Sequence, residues 1–228
     1  MEPAGRWLQE RLSCALSDPA LLARALTHRS HGADNNERLE YLGDAVLSFI
    51  VAELLYRRFP QASEGELSRY RATLVSGDAL ALMATAIGVG EHLRLGEGEL
   101  KSGGQRRATI LADALEALLG AIYLDLGLDA ARGIAARLFD APIAALPAAA
   151  ELKDPKTRLQ EWLQGRGYGL PAYTVMDVSG EPHEQRFRVR CDIGGLAISA
   201  VAEGSSRRRA EQEAAQRILE DPALQAPR

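Results

Sequence analysis

From residue 7 to about residue 139 the apolar side chains recur three or four positions apart, and beyond about residue 150 stretches in which they recur two apart lie between two helical ones. That change of period constrains the fold more than any other feature, because a helix repeats every 3.6 residues and a strand every two. In the first part the helical spacing runs through LARALTHRS, NERLEYLGDAVLSFIVAELLY, GELSRYRATLVSGDALALMATAIG, ATILADALEALLGAIYLD and DAARGIAARLF. Strand-like alternation is nearly absent, so residues 1–140 are expected to form an all-α helical domain. GEGELKSGGQRR (96–107) reads as a surface loop, from its glycines and turn residues. APIAALPAAAEL (141–152) reads as a linker or as a frayed helix end.

Residues 153–222 follow a different order. Asp154-Pro155 is a helix-start signal, an acidic N-cap ahead of a proline. The helix TRLQEWLQGRG then turns Leu159, Trp162 and Leu163 to one side and Thr157, Gln160 and Gln164 to the other. Strands are expected at 172–178, 185–193 and 196–202. In the middle one Phe187, Val189, Cys191 and Ile193 alternate with Arg186, Arg188, Arg190 and Asp192. Gly194-Gly195 signals a hairpin turn, and Ser205-Ser206 caps a last helix, RRRAEQEAAQRILE, with Ala210, Ala214 and Ile218 inward. The expected second domain is a small α+β unit of order α-β-β-β-α, with a tail at 223–228. A chain of 228 residues is long enough for both domains to bury a core.

The helical part carries an oddity in NERLEYLGDAV (36–46). Glu37, Glu40 and Asp44 form one stripe at helical spacing. The AVLSFIVAELLY that follows is apolar nearly all round, so the helix and part of its acidic stripe are expected to be buried. ADALEALLGA (112–121) repeats the pattern with Asp113 and Glu116. Buried acids are nearly always paired, and like charges this close need compensation. One reading is a set of ion pairs with Arg38, Arg69, Arg71 or Arg107. The other, simpler for five acids on two apolar helices, is that the stripes converge on one or two divalent cations. Carboxylate oxygens are what magnesium prefers. Magnesium so held serves phosphate chemistry, and no Walker loop, G-x-S-x-G or dinucleotide fingerprint points elsewhere. Metal-assisted hydrolysis of a phosphodiester is the leading chemistry.

GSSRRRAEQEAA (204–215) puts Arg207, Arg208 and Arg209 in the first turn of a helix, where exposed N–H groups already favour anions. The patch is either merely solvated or set against a phosphate backbone. The neutral hydrogen-bonding face of Thr157, Gln160 and Gln164 and the GEPH turn at 180–183 would supply two further probes. Double-stranded RNA is read in this manner, by shape, through two minor grooves and the phosphates between them. A formal net charge of −4 argues against a nucleic-acid partner only as an average. The acid surplus lies entirely before residue 150, and the second part is balanced.

Other classes are disfavoured. Cys14 and Cys191 stand far apart with no CxxC, so neither a disulfide framework nor a zinc site is indicated. His28 and His31 lie in LTHRSHGADN, where capping or solvation is expected. MEPAGRWLQERLSCAL has charges where a secretory signal needs an apolar core, and no stretch approaches the ~20 apolar residues that span a bilayer. A cytoplasmic protein is expected, with neither a membrane nor a small-molecule substrate as partner.

Over residues 7–222 the sequence resembles bacterial ribonuclease III. NERLEYLGDAV is similar to that family's signature and ILADALEALLG to its second acidic motif. FPQASEGELSRYRATLV, GELKSGG and KDPKTRLQEWLQGRG also match its run of the chain. Residues 153–219 resemble a double-stranded-RNA-binding domain. The resemblance implies a homodimeric endoribonuclease that cuts both strands of double-stranded RNA with Mg2+, Mn2+ being a possible substitute. It implies 5′-phosphate and 3′-hydroxyl ends, and a role in processing ribosomal RNA precursors and some mRNAs and tRNAs.

Carried over by position, Glu40, Asp44, Asp113 and Glu116 would be the metal-site carboxylates, with Asp44 and Glu116 the most critical for chemistry. Glu37 and Glu64 would be auxiliary acids, and Tyr41 the aromatic knob that enters a partner subunit. Thr157, Gln160 and Gln164 would touch one minor groove, His183 a second, and Arg207 and Arg208 the phosphates. The chain departs from the common pattern at Tyr41, where Phe is frequent, and at Glu211, where many such domains carry Lys. The second departure implies a weaker electrostatic grip. The competing class is a binding protein of the same architecture that has lost catalysis, against which the complete carboxylate set argues.

Overall fold

The computed structural model describes residues 3–148, 152–181 and 184–225 and divides the chain into two compact units, Met1–Ala149 and Ala150–Arg228. The first unit is helical: α1 (Pro3–Leu12), α2 (Pro19–Ala25), α3 (Glu37–Arg58), α4 (Glu64–Leu74), α5 (Gly77–Ile87), α6 (Glu97–Lys101) and α7 (Ala108–Ala144). Local signals set the ends. Asp18 caps α2 ahead of Pro19, Ser63 and Glu66 form a capping box on α4, and Gly88 ends α5 in the left-handed conformation. Gly127, at φ +83° and ψ 177°, breaks α7 into two helical stretches.

The centre of this unit is the packing of α3 on α7, with α5 on another side of α7. Leu47, Ile50 and Leu55 of α3 meet a core that holds Leu115, Leu118, Leu119 and Ile122 of α7, all fully buried. The contact is close because two glycines face across it. A Cβ at Gly43 would stand 1.8 Å from the Glu116 carbonyl oxygen, and one at Gly120 2.4 Å from that of Leu39.

The structure corrects two expectations here. Apolar residues around all of α3 implied a helix buried on every side, yet Tyr41, Phe49 and Tyr56 are 82%, 54% and 72% exposed, and Asp44 and Ala45 also face outward. The helices packed on it, chiefly α7 and in part α4, cover only part of a cylinder. The expected loop at 96–107 folds into α6 and a 3-10 turn (Gly104–Arg106), held by Arg107 to Glu99 at 2.6 Å. Of the stretch 141–152, which the sequence leaves open as linker or helix end, residues 141–144 are the end of α7, which runs through Pro142 to Ala144.

The second unit comprises α8 (Pro155–Gln164), β1 (Ala172–Ser179), β2 (Arg186–Ile193), β3 (Ile198–Gly204), α9 (Arg207–Leu219) and the short α10 (Pro222–Gln225). Its antiparallel sheet has the order β1-β2-β3, with a bulge in β1 between Val175 and Asp177. The period-two pattern of β2 buries Val189, Cys191 and Ile193, the last two against Leu159 and Leu163 of α8 and Ala214, Ala215 and Ile218 of α9. The β2–β3 turn takes four residues (194–197), with Gly195 and Ala197 at positive φ, so Leu196 belongs to the turn and β3 starts at Ile198. Cys14 and Cys191 are free and buried. Among the described residues no helix is long and apolar enough to cross a membrane.

Candidate active site and RNA interface

Glu40, in the first turn of α3, and Asp113 and Glu116, one turn apart on α7, bring carboxylate oxygens within 4.8 Å of one another. The glycine contacts make this possible, since Gly43 sits one turn beyond Glu40 and touches the backbone of Glu116 itself. All three acids are half-buried. None forms an ion pair among the described residues: Arg107 is spent on Glu99, and Arg38, Arg69 and Arg71 do not reach the cluster. The compensation expected from those arginines is absent.

The electrostatics follow from that lack of a partner. Burial, then the charges of Asp44, Asp113 and Glu40, pushes the Glu116 carboxyl up to about 7. Burial, then Asp113, Glu37 and Asp44, raises Glu40 against the pull of Arg29. Asp113 is raised by burial, with His28 and Arg29 opposing. Unpaired oxygen donors that hold protons above their ordinary range suit a hard divalent cation, which would take the place of those protons.

The remaining expected site acids are arranged around this triad. Asp44 is exposed and outside the close group, although its charge reaches Glu40 and Glu116. Glu37 is exposed at the start of α3, 3.7 Å from Arg29 Nη1. Glu64 is exposed at the first position of α4, where Ser68 Oγ donates to it at 2.7 Å. Neither lies in the triad.

Three residues beside the acids escaped the sequence reading. His28, Arg29 and Asn36 line a cleft of about 490 Å³ together with Glu40 and Asp113. The segment is held there by the bridge between Thr27 and Arg94, by His28 Nδ1 to Ser30 Oγ at 2.8 Å, and by the Gly96 N–H donating to Ser30 Oγ at 2.9 Å. Asn36 is almost fully buried, and its Nδ2 has no hydrogen-bond partner among the described residues. The only signal in the sequence was LTHRS itself, polar residues just after a helix, which capping explains equally well.

In the second unit Thr157, Gln160 and Gln164 share the exposed side of α8, opposite buried Leu159 and Leu163. His183 and the neighbouring Pro182 lie outside the described residues. Ser206 caps α9, its Oγ accepting from the Arg209 N–H, so Arg207 and Arg208 occupy the first turn as expected. Both touch acids: Arg207 Nε donates to Glu211 at 2.8 Å, and Arg208 Nη2 lies 3.8 Å from Asp154.

Comparison with known proteins places both units. The family model Ribonuclease-III-like matches residues 18–141, and the model Double-stranded RNA binding motif matches residues 155–221. The Ribonuclease 3 of Methylococcus capsulatus is 56% identical over 93% of this chain and 92% of its own length. That of Vibrio cholerae is 50% identical over 96% and 98%. Among solved structures, the nuclease domain of ribonuclease III from Campylobacter jejuni matches with a TM-score of 0.60 at 39% identity, covering 64% of this chain and all of that one.

Proposed function

The chain belongs to the ribonuclease III family and is an endoribonuclease with a double-stranded-RNA-binding domain, and on that premise we propose that it hydrolyses both strands of duplex RNA with Mg2+. The observation that carries the metal dependence is the convergence of Glu40, Asp113 and Glu116 with no ion pair among the described residues. These three would hold the ion, with exposed Asp44 facing the RNA side of the same cluster. When bound, the ion supplies a Lewis acid for a phosphoryl oxygen and activates a water.

The protein's own groups supply the rest. Glu116, the acid with the most strongly raised affinity for a proton in the cluster, would hold the ion in its ionised form. Asp44 and Glu116 are the acids on which the chemical step depends most. Arg29 sets positive potential on the wall of the cleft, where a phosphodiester must approach an acidic cluster that would otherwise repel it. Glu37 holds Arg29 in reach, and Glu37 and Glu64 act as auxiliary acids at the rim. The products are 5′-phosphate and 3′-hydroxyl ends, and precursors of ribosomal RNA, with some mRNAs and tRNAs, are the substrates.

Thr157, Gln160 and Gln164 meet a minor groove, His183 a second, and Arg207 and Arg208 the phosphates between. The exposed aromatic face of α3 supports a homodimer in which Tyr41 enters the partner subunit. A nuclease-domain structure from Campylobacter jejuni, 42% identical with a TM-score of 0.58 over 59% of this chain and 95% of its own, is described by a region involved in dimer formation. Incubation of the purified protein with a long RNA duplex tests the reading. Mg2+ should yield short duplexes with 5′-phosphates, and chelator none; cleavage that persists in chelator would remove the metal site.

A further inference from the structure

An acid stands in the middle of the basic start of α9. Glu211 is 8% exposed, and its two oxygens serve different cations. Lys156 Nζ reaches Oε2 at 2.5 Å, and Arg207 Nε reaches Oε1 at 2.8 Å. Lys156 comes from the first turn of α8, 51 residues earlier than Arg207 in the chain. Its side chain is 33% exposed, and its ammonium also lies 4.6 Å from the centre of the Tyr173 ring. Arg207 is 65% exposed and gives Glu211 only its Nε, so its two terminal nitrogens have no protein partner among the described residues.

One anion cannot cancel two cations, and the geometry decides which cation keeps its charge. Lys156 is enclosed between a carboxylate and an aromatic face, a place where an ammonium is matched locally and is poorly placed for a phosphate. Arg207 points outward from a helix N-terminus that already favours anions. Burial alone would raise the Glu211 carboxyl, but the hydrogen bonds from Lys156 and Arg207 outweigh it and keep the group ionised. Were Lys156 absent, the charge of Glu211 would fall on Arg207.

We propose that Lys156 is a positioning residue for RNA binding: it neutralises Glu211, so that the same carboxylate can orient Arg207 through Nε while Arg207 presents an uncancelled charge to a phosphate. This rests on the reading of α9 as the phosphate-binding element. The acid at position 211 then bridges and aims the basic side chain without weakening the grip, contrary to what an acid at a basic helix start implies.

The test is the salt dependence of duplex RNA binding by the full chain in chelator, which prevents cleavage. K156Q is expected to lower the slope of log K against log salt by about one and to weaken binding about tenfold at 0.1 M salt, as R207A does by removing the phosphate contact itself. K156Q/E211Q, which restores the net charge of the trio, should return the slope to that of the unaltered protein. A slope unchanged in K156Q while R207A lowers it would overturn the proposal. So would a double variant as weak as K156Q, since a lysine that touches RNA, or one needed only for folding, is not rescued by E211Q. An unchanged slope in R207A would instead sink the phosphate reading of α9 that the proposal rests on.

Discussion

At the residue scale the site is a problem of uncompensated charge. Glu40, Asp113 and Glu116 sit half-buried and close together, with no ion pair among the described residues. Glu116→Gln should reduce cleavage by about a thousandfold or more, since an ion that stabilises transition-state charge is worth several kcal/mol. RNA binding in chelator should be largely intact in that variant; full cleavage activity would refute the assignment. The raised carboxyls also tie stability to pH. In chelator the folded state retains protons that the unfolded chain releases, so stability is fully present below the ordinary glutamate value of 4.5 and is lost as pH rises through about 7. The melting temperature in chelator should therefore fall across that window. The fall should shrink in Glu116→Gln, which titrates nothing there, and on addition of Mg2+, which binds the ionised form. A melting curve with the same pH dependence in all three conditions would contradict this account.

At the element scale the site exists because two helices touch backbone to backbone. Gly43 and Gly120 each belong to an acidic motif, LEYLGDAV and ALEALLGA, and each follows a metal-site acid by about one turn. The spacing is visible in the sequence, but its purpose is not: a glycine in a helix only costs stability until a second helix is pressed against it. Gly43→Ala would set a Cβ 1.8 Å from the Glu116 carbonyl oxygen and must push α3 off α7. The expected loss is about 1–3 kcal/mol of stability, by chemical denaturation, with cleavage falling further than stability because Glu40 and Glu116 move apart. Equal stability and activity in the variant would mean that the crossing is looser than described. The corrected span of α3 has the same origin. Composition says that a helix is apolar, and only its neighbours say which apolar side chains are covered.

At the scale of the whole molecule, the exposed rings of Tyr41, Phe49 and Tyr56 along α3 call for a cover. In the homodimer proposed above, that cover is a second copy. Phe49→Asp would place a charge in the apolar contact and should raise the dimer dissociation constant about 30-fold or more, a loss of at least ~2 kcal/mol. Sedimentation at micromolar concentration reads the outcome. A protein that sediments as a dimer unchanged by Phe49→Asp would locate the interface elsewhere. The second unit shows how little net charge reveals about partners: its acids and bases balance, yet Glu211 and Asp154 hold Lys156, Arg207 and Arg208 at one end of α9.

The sequence by itself determined the change from helical to alternating period, the order α-β-β-β-α, the capped helix ends and the acids of both motifs. Each of these is written in spacing along the chain and needs no distant contact to be read. Tertiary structure decided that Glu40, Asp113 and Glu116 converge while Asp44, Glu37 and Glu64 stand outside the triad. It decided that His28, Arg29 and Asn36 line the cleft, and that Lys156 shares a carboxylate with Arg207. These meetings join residues tens of positions apart, and their geometry is set by how closely two backbones approach. Local periodicity carries no record of that distance.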